Sequence, residues 1–256
     1  MARRATAIDE VRGYTQHPIL VLDSGNTLLG QRLANETEGR VIVEAMNAMG
    51  YDAMTVGAMD LQTGLDVLNA RAAEADFAVL SCNIVGHQDG QPLFAPYVVL
   101  ERGGFRFGIL GVSEPDIGSL PVVEGLVEVI DPKTAVQKHL AELRSKSDVV
   151  ILLSHLGLEA DAALAQAVPG INVIVGGRSR QILVPAQIVG QTVIVQAGFD
   201  GEFLGHLDVA FDAQGQPTAS EVRMNGLGPE VADDAAMVAL LASYQPQVAA
   251  PTTAPE

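Results

Sequence analysis

The sequence predicts an α/β protein built as one large domain. Short apolar runs that suit buried strands alternate with longer segments whose apolar residues recur at helical spacing. The chain has 256 residues, of which 48% are hydrophobic, so it can bury one substantial core. We therefore assign residues 1–245 to one domain and residues 246–256, rich in Pro, Ala and Thr, to a solvated tail.

The first third of the chain alternates predicted helices with predicted strands. The helices, each with its apolar residues on one face, cover residues 2–14, 36–49 and 62–74. The strands, all short apolar runs, cover residues 18–23, 53–56 and 77–80. Gly50 follows the second helix, where a C-cap glycine is expected.

The remainder of the chain begins with a hairpin and is richer in strands. Gly103 and Gly104 separate two strand-like runs, and glycine supplies the positive φ that a tight turn needs. The predicted strands cover residues 97–101, 105–110, 148–153, 171–175, 192–196, 203–211 and 218–224. The predicted helices cover residues 133–146 and 159–167.

Composition excludes several classes of partner. The chain carries 31 Asp and Glu against 15 Lys and Arg, a net charge of -16, and no basic run could neutralise nucleic-acid phosphates. No segment reaches the roughly 18 apolar residues of a membrane span. The first ten residues lack an apolar stretch after their two arginines, so we expect a cytoplasmic protein rather than an exported one.

The single cysteine, Cys82, cannot form an internal disulfide. It lies between the apolar residues Leu80 and Ile84 in a strand-like context. A buried, unreactive thiol is therefore favoured over a reactive one.

Four loops that follow predicted strands carry the chemically distinctive residues. In α/β sheets, ligands bind at the carboxyl edge, where such loops meet. In chain order the four are Leu22-Asp23-Ser24-Gly25-Asn26-Thr27, Thr55-Val56-Gly57-Ala58-Met59-Asp60, Leu153-Ser154-His155-Leu156-Gly157 and Gly176-Gly177-Arg178-Ser179-Arg180.

These loops, with the segment from Glu44 to Asp52, resemble the catalytic domain of the 5'-nucleotidase and 2',3'-cyclic phosphodiesterase family of the metallophosphoesterase (calcineurin-like) superfamily. The resemblance runs from residue 2 to about residue 245. It implies a four-layer αββα sandwich with two mixed β-sheets. In that family the loops read Asp-x-His, Gly-Asp, Gly-Asn-His-Glu or -Asp, Ser-His and Gly-His-x-His. Their side chains hold two divalent metal ions that clamp phosphate oxygens and activate water.

The resemblance also implies that this chain lacks most of the metal ligands. Asn26 stands at the position of the bridging aspartate, Ala58 at that of the asparagine ligand and Met59 at that of the catalytic histidine. Arg178 and Arg180 stand at the positions of the last two histidines. Only His155 keeps its ligand type, and Asp60 matches an acidic residue that lies beside the metals at best. The Asp-x-His motif and its strand have no counterpart here. We therefore expect no metal cofactor and a vestigial site.

Two arginines stand where the resemblance implies metal-binding histidines. A guanidinium stays protonated at any working pH and is not a metal ligand. We expect Arg178 and Arg180 to replace the charge of the ions and to pair with nearby carboxylates such as Asp23 or Asp60. Solvated loop charges and an anion-binding site at the two arginines are the alternatives.

A route to catalysis without metals is hard to build from these residues. For His155 alone, a hydrogen-bonded structural histidine is favoured over a ligand, because a lone imidazole binds metal weakly. Ser154 precedes it at a predicted strand end, so the two side chains point to opposite sides and cannot form a nucleophile–base pair. We expect no catalytic residues.

Three function classes follow. The favoured one is a non-catalytic metallophosphoesterase-fold protein, a pseudoenzyme, that serves as a structural or interaction subunit. Its partner would be another protein or a second copy of the chain, because an unfilled sheet position left by the absent first strand would expose backbone groups. The alternatives are a module that binds an anion or nucleotide, and a residual metal-dependent phosphoester hydrolase.

Overall fold

The computed structural model describes residues 1–212 and 214–248. Its helices are α1 (Ala2–Tyr14), α2 (Arg32–Glu36), α3 (Arg40–Met49), α4 (Leu65–Glu74), α5 (Pro132–Lys146), α6 (Leu158–Ala167) and α7 (Ala235–Val248). Its strands are β1 (Leu22–Asp23), β2 (Ala53–Thr55), β3 (Ala78–Leu80), β4 (Ile84–Gly86), β5 (Tyr97–Arg102), β6 (Phe105–Val112), β7 (Val127–Val129), β8 (Val149–Ser154), β9 (Val173–Gly176), β10 (Gln187–Val189), β11 (Thr192–Val195), β12 (Phe203–Phe211) and β13 (Pro217–Gly226).

The largest layer is a six-stranded sheet in the order β10-β11-β9-β8-β6-β5. Its four inner strands are parallel, and β10 and β5 are antiparallel edges. Because successive side chains of a strand point to opposite faces, Val150 and Leu152 pack against α5 and α6, while Ile151 and Leu153 face the second layer of strands. Burying a leucine completely, as here, contributes about 1.5–3 kcal/mol.

The second layer of strands is divided into two small sheets. The parallel sheet β1-β2-β3 and the hairpin β12-β13 both pack on the same face of the six-stranded sheet, through Leu22 and Ala78 from the first and Leu207 and Val209 from the second. Helices α1, α3, α4 and α7 cover the outer side of this layer. The α/β sandwich is therefore confirmed.

Two predicted elements differ in extent. The helix expected over residues 36–49 begins only at Arg40, because Glu38 and Gly39 adopt positive φ angles of 49° and 81° between α2 and α3. Gly50, with φ 64°, ends α3 as predicted. The strand expected over residues 18–23 is reduced to β1, which among the described strands pairs with β2 alone.

The sequence patterns missed five helices and strands. Helix α2 has only five residues and strands β4, β7 and β10 have three each, too few for a clear periodicity. Helix α7 reaches Val248, so residues 246–248 continue a helix rather than belong to the predicted tail. The rest of that tail lies outside the described residues.

Two expectations from the sequence concern the Cys82 thiol and membrane-spanning helices. Cys82 is a buried free thiol, and burial raises its pKa to about 12. Among the helices of the described ranges, none combines the length and the apolar character needed to cross a bilayer.

Candidate functional site

The four predicted loops follow β1, β2, β8 and β9, and they meet at the carboxyl edge of the strands. Two glycines allow the close approach. A Cβ atom at Gly57 would collide with the Asn26 side chain, and one at Gly177 would collide with the Ser24 hydroxyl. The four loops therefore lie close together at this edge.

Asp60 joins the loops after β1 and β2. Its two carboxylate oxygens accept backbone N–H groups of Asn26 at 2.8 Å and of Thr27, Leu28 and Gly57 at 2.9 Å. The residue is 2% exposed. Burial raises the pKa of Asp60, and the backbone donors oppose that shift. Asp60 is thus a buried connector between two loops.

Asn26 turns its amide oxygen into the protein. Its φ of 59° lies in the left-handed region, and Oδ1 accepts the N–H of Met59 at 2.8 Å. The neighbouring N–H of Ala58 donates to Glu114 Oε1 at 3.0 Å. The side chains of Ala58 and Met59 supply no oxygen or nitrogen, so at these two positions the loop contributes only backbone donors.

His155 is held in a fixed orientation at the centre of the cluster. It is 3% exposed, and its Nδ1 lies 2.6 Å from the carbonyl oxygen of Ser24, which can only accept, so Nδ1 carries a proton. The other ring nitrogen, Nε2, lies 4.0 Å from Glu114 Oε1. Both His155 Nε2 and Glu114 Oε2 are buried, and neither has a hydrogen-bond partner within the described residues.

The expectation that Arg178 and Arg180 pair with nearby carboxylates holds for Arg178 alone, and among the described residues neither arginine pairs with Asp23 or Asp60. Arg178 forms an exposed ion pair with Asp116, and the Arg180 guanidinium lies 5.8 Å from the centre of the Phe199 ring. Asp60 is saturated by backbone donors. Asp23 accepts the N–H of Gly25 at 2.9 Å and the hydroxyl of Thr27, so it is engaged within its own loop.

A buried polar network supports these loops from below. The hydroxyl of Ser154 donates to Asp161 Oδ1, away from His155, so the prediction that the two neighbours point apart is confirmed. Burial raises the pKa of Asp161 to about 7, although the Ser154 hydroxyl favours the ionised form. Ser179 accepts the N–H of Leu158 at 2.8 Å and exchanges hydrogen bonds with Gln196, which ties the arginine loop to α6.

The chain and its fold are similar to those of known 5'-nucleotidases. No family model matches the chain. The 5'-nucleotidase of Bos taurus is 31% identical over 257 residues, which cover 90% of this chain and 45% of that protein. The solved 5'-nucleotidase precursor of Thermus thermophilus is 31% identical, with a TM-score of 0.89, and the match covers 97% of this chain and 53% of that one.

The chain belongs to the 5'-nucleotidase family of metallophosphoesterases. The solved calcineurin-like phosphoesterase YfkN of Bacillus subtilis shares the fold at 22% identity, with a TM-score of 0.85 over 97% of this chain and 89% of that one. The chain spans about half the length of most of the curated 5'-nucleotidases it matches.

The residues at the family's metal positions do not fit a two-metal centre. The Asn26 amide oxygen accepts a backbone N–H, and Arg178 and Arg180 bring positive charge where ligands are expected. Across residues 1–212 and 214–248, no three His, Cys, Asp or Glu side chains form a group that could hold an ion. His155 keeps the orientation typical of a ligating histidine, with Nδ1 bound to a backbone carbonyl, and its Nε2 lies 4.0 Å from Glu114 Oε1.

Sequence reasoning missed three polar residues of this 5'-nucleotidase-like cluster, namely Glu114, Asp116 and Asp161. Glu114 and Asp116 follow β6, a strand whose carboxyl end lies on the same edge as the four predicted loops. The same rule that selected those loops would have selected this one. No local signal marks Asp161, because its partner Ser154 is brought to it by the turn between β8 and α6.

The Arg178–Asp116 pair should contribute little to stability. The two side chains are 41% and 69% exposed, and exposed ion pairs contribute at most about 1 kcal/mol. Urea unfolding of Arg178→Ala and Asp116→Ala, singly and together, should give a coupling free energy below about 1 kcal/mol. A coupling above 2 kcal/mol, by the same rough scale, would show that the pair is a structural element of the site.

Proposed function

We propose that this protein is a non-catalytic member of the 5'-nucleotidase family that acts as a structural or interaction subunit. The observation that carries the proposal is the use of the cluster's polar groups inside the protein. Asn26 Oδ1 binds the N–H of Met59, and both oxygens of Asp60 are taken by four backbone donors. Asn26 stands where the resemblance places the bridging aspartate, and its amide oxygen cannot bridge two ions without giving up its bond to the neighbouring loop.

The first test is a direct assay for metal and turnover. We expect no stoichiometric Mn²⁺ or Zn²⁺ by metal analysis after dialysis against each ion. We also expect no release of phosphate from AMP, and no opening of 2',3'-cyclic AMP, above the rate of a protein-free control with the same ion.

His155→Ala supplies the matched control for that assay. His155 is the one family ligand type that is retained, so true hydrolysis would need it. Stoichiometric metal together with turnover that His155→Ala abolishes would overturn the proposal and favour a residual phosphoester hydrolase. Turnover that His155→Ala leaves unchanged identifies a contaminating enzyme.

Arg180 favours a second candidate, a module that binds an anion or nucleotide. Its side chain is exposed beside the cluster, stacks on Phe199 and makes no salt bridge within the described part of the chain. Calorimetric titration with inorganic phosphate and with AMP tests this role. Heat that disappears in Arg180→Ala would support it, and no heat with either compound would exclude it.

A further inference from the structure

Buried polar groups tie α6 to the loop that carries the two arginines. We define the arginine loop as residues 177–180, which follow β9. Its Ser179 hydroxyl accepts the N–H of Leu158, the first residue of α6, at 2.8 Å. The Gln196 amide completes the tie, because Nε2 donates to Ser179 Oγ at 3.0 Å and Oε1 accepts the N–H of Gln181 at 3.4 Å. Gln196 therefore holds the arginine loop at Ser179 and just beyond its end.

Asp161 lies beside this tie with one carboxylate oxygen unused. The residue is 0% exposed. Its Oδ1 accepts the Ser154 hydroxyl, whereas Oδ2 is buried and has no hydrogen-bond partner within the described residues. A Cβ atom at Gly176 would lie 2.6 Å from Asp161 Oδ2 and 2.8 Å from Gln196 Nε2. The unused oxygen and the amide that holds the loop are therefore neighbours on one side of Gly176.

No counter-charge reaches Asp161 from the elements packed against it. The groups that face it are uncharged, namely Ser154 of β8, Gly176 of β9 and Gln196 after β11. The ionisable residues of the same elements and loops are exposed or bound elsewhere, and they are Glu159, His155, Arg178 and Arg180. Burial therefore raises the pKa of Asp161 to about 7, and this carboxyl changes its charge near neutral pH.

The two charge states of Asp161 make different demands on the Gln196 amide. A neutral carboxyl leaves the amide bound to Ser179, as observed. An ionised carboxylate with a buried, unpaired oxygen is costly, and Gln196 Nε2 is the donor beside that oxygen. Since Nε2 makes no hydrogen bond to Oδ2 here, the amide must turn away from Ser179 to supply one.

We propose that the proton on Asp161 is a switch for the arginine loop, because its loss draws the Gln196 amide from Ser179 to Asp161 and releases the loop. The loop carries Arg178 and Arg180, so the switch sets how firmly both guanidinium groups are held beside the site. It is built from buried groups of the fold and does not depend on catalysis. Metal-dependent turnover would remove the non-catalytic role and leave the switch intact.

Nuclear magnetic resonance of the unmodified protein tests the switch without any substitution. The carboxyl carbon resonance of Asp161 follows its titration, and hydrogen exchange follows the amides of Leu158 and Gln181, whose acceptors belong to the tie. From pH 5 to pH 8, after correction for intrinsic exchange, both amides should lose at least about tenfold in protection, with the midpoint of the carboxyl. The Val193 amide, which donates to the Asn172 carbonyl at 3.0 Å within the sheet, should keep its protection.

Two substitutions separate the proton from the tie. Asp161→Asn cannot ionise, so both amides should keep at pH 8 the protection that they have at pH 5. Gln196→Met fills a similar volume without a donor, so both amides should be weakly protected at either pH while the Asp161 carboxyl still titrates. Glu159→Gln, at an exposed carboxylate of the same helix, should behave as the unmodified protein does.

Three results would overturn the switch. One is a titration of the Asp161 carboxyl that leaves the Leu158 and Gln181 amides unchanged. The second is a loss of protection whose midpoint matches the His155 imidazole instead of the Asp161 carboxyl. The third is a loss of protection that persists in Asp161→Asn. If either variant fails to fold, the first two results from the unmodified protein still decide.

Discussion

Replacing Asp60 with alanine should destabilise the protein by at least about 4 kcal/mol and lower its melting temperature by about 10 °C or more. Asp60 accepts four backbone N–H groups from two loops, and it is 2% exposed. A buried donor without its acceptor costs about 1–3 kcal/mol, part of which relaxation recovers. Thermal and urea unfolding measure the loss.

Two further variants sharpen this test. Asp60→Asn keeps the shape but replaces one acceptor oxygen by a donor facing N–H groups, so it should also destabilise. Asp76→Ala removes an exposed carboxylate and should change the free energy of unfolding by less than about 0.5 kcal/mol. If Asp60→Ala is as stable as Asp76→Ala, the carboxylate does not hold the loops together.

The protein should lose stability between pH 5 and pH 8 because of Asp161. Its pKa in the folded protein is about 7, raised by burial, against about 3.9 in an unfolded chain. The folded state therefore binds more protons in this range, and stability falls as pH rises. The contribution of this group over the range is about 2–3 kcal/mol.

Asp161→Asn should remove that slope, because the amide does not ionise and its oxygen can still accept the Ser154 hydroxyl. Urea unfolding at pH 5 and pH 8 gives the comparison. Asp131→Asn is a matched control, since bonds from Thr134 lower the pKa of Asp131, which is therefore ionised in the folded and the unfolded chain throughout this range, and its replacement should leave the slope unchanged. Parallel pH profiles for the unmodified protein and Asp161→Asn would contradict the assignment.

Helix α3 and strand β1 show which features sequence patterns can predict and which they cannot. The Gly50 end of α3 was predictable because the signal is local. The break before α3 was not, because Val41, Ala45 and Met49 continue the apolar face while Glu38 and Gly39 take positive φ angles. The extent of β1 was also not predictable, since a strand is defined by its partner and β1 pairs with β2 alone among the described strands.

The sequence by itself determined the α/β class, the loops that form the site and the residue types those loops carry. Each depends on local periodicity or on residue identity. Only the tertiary structure decided the partners of those residues: Arg178 meets Asp116, 62 positions away, and His155 meets the carbonyl of Ser24, 131 positions away. Such contacts depend on the order in which strands pack, and side chains of the same type are equivalent until that order is fixed.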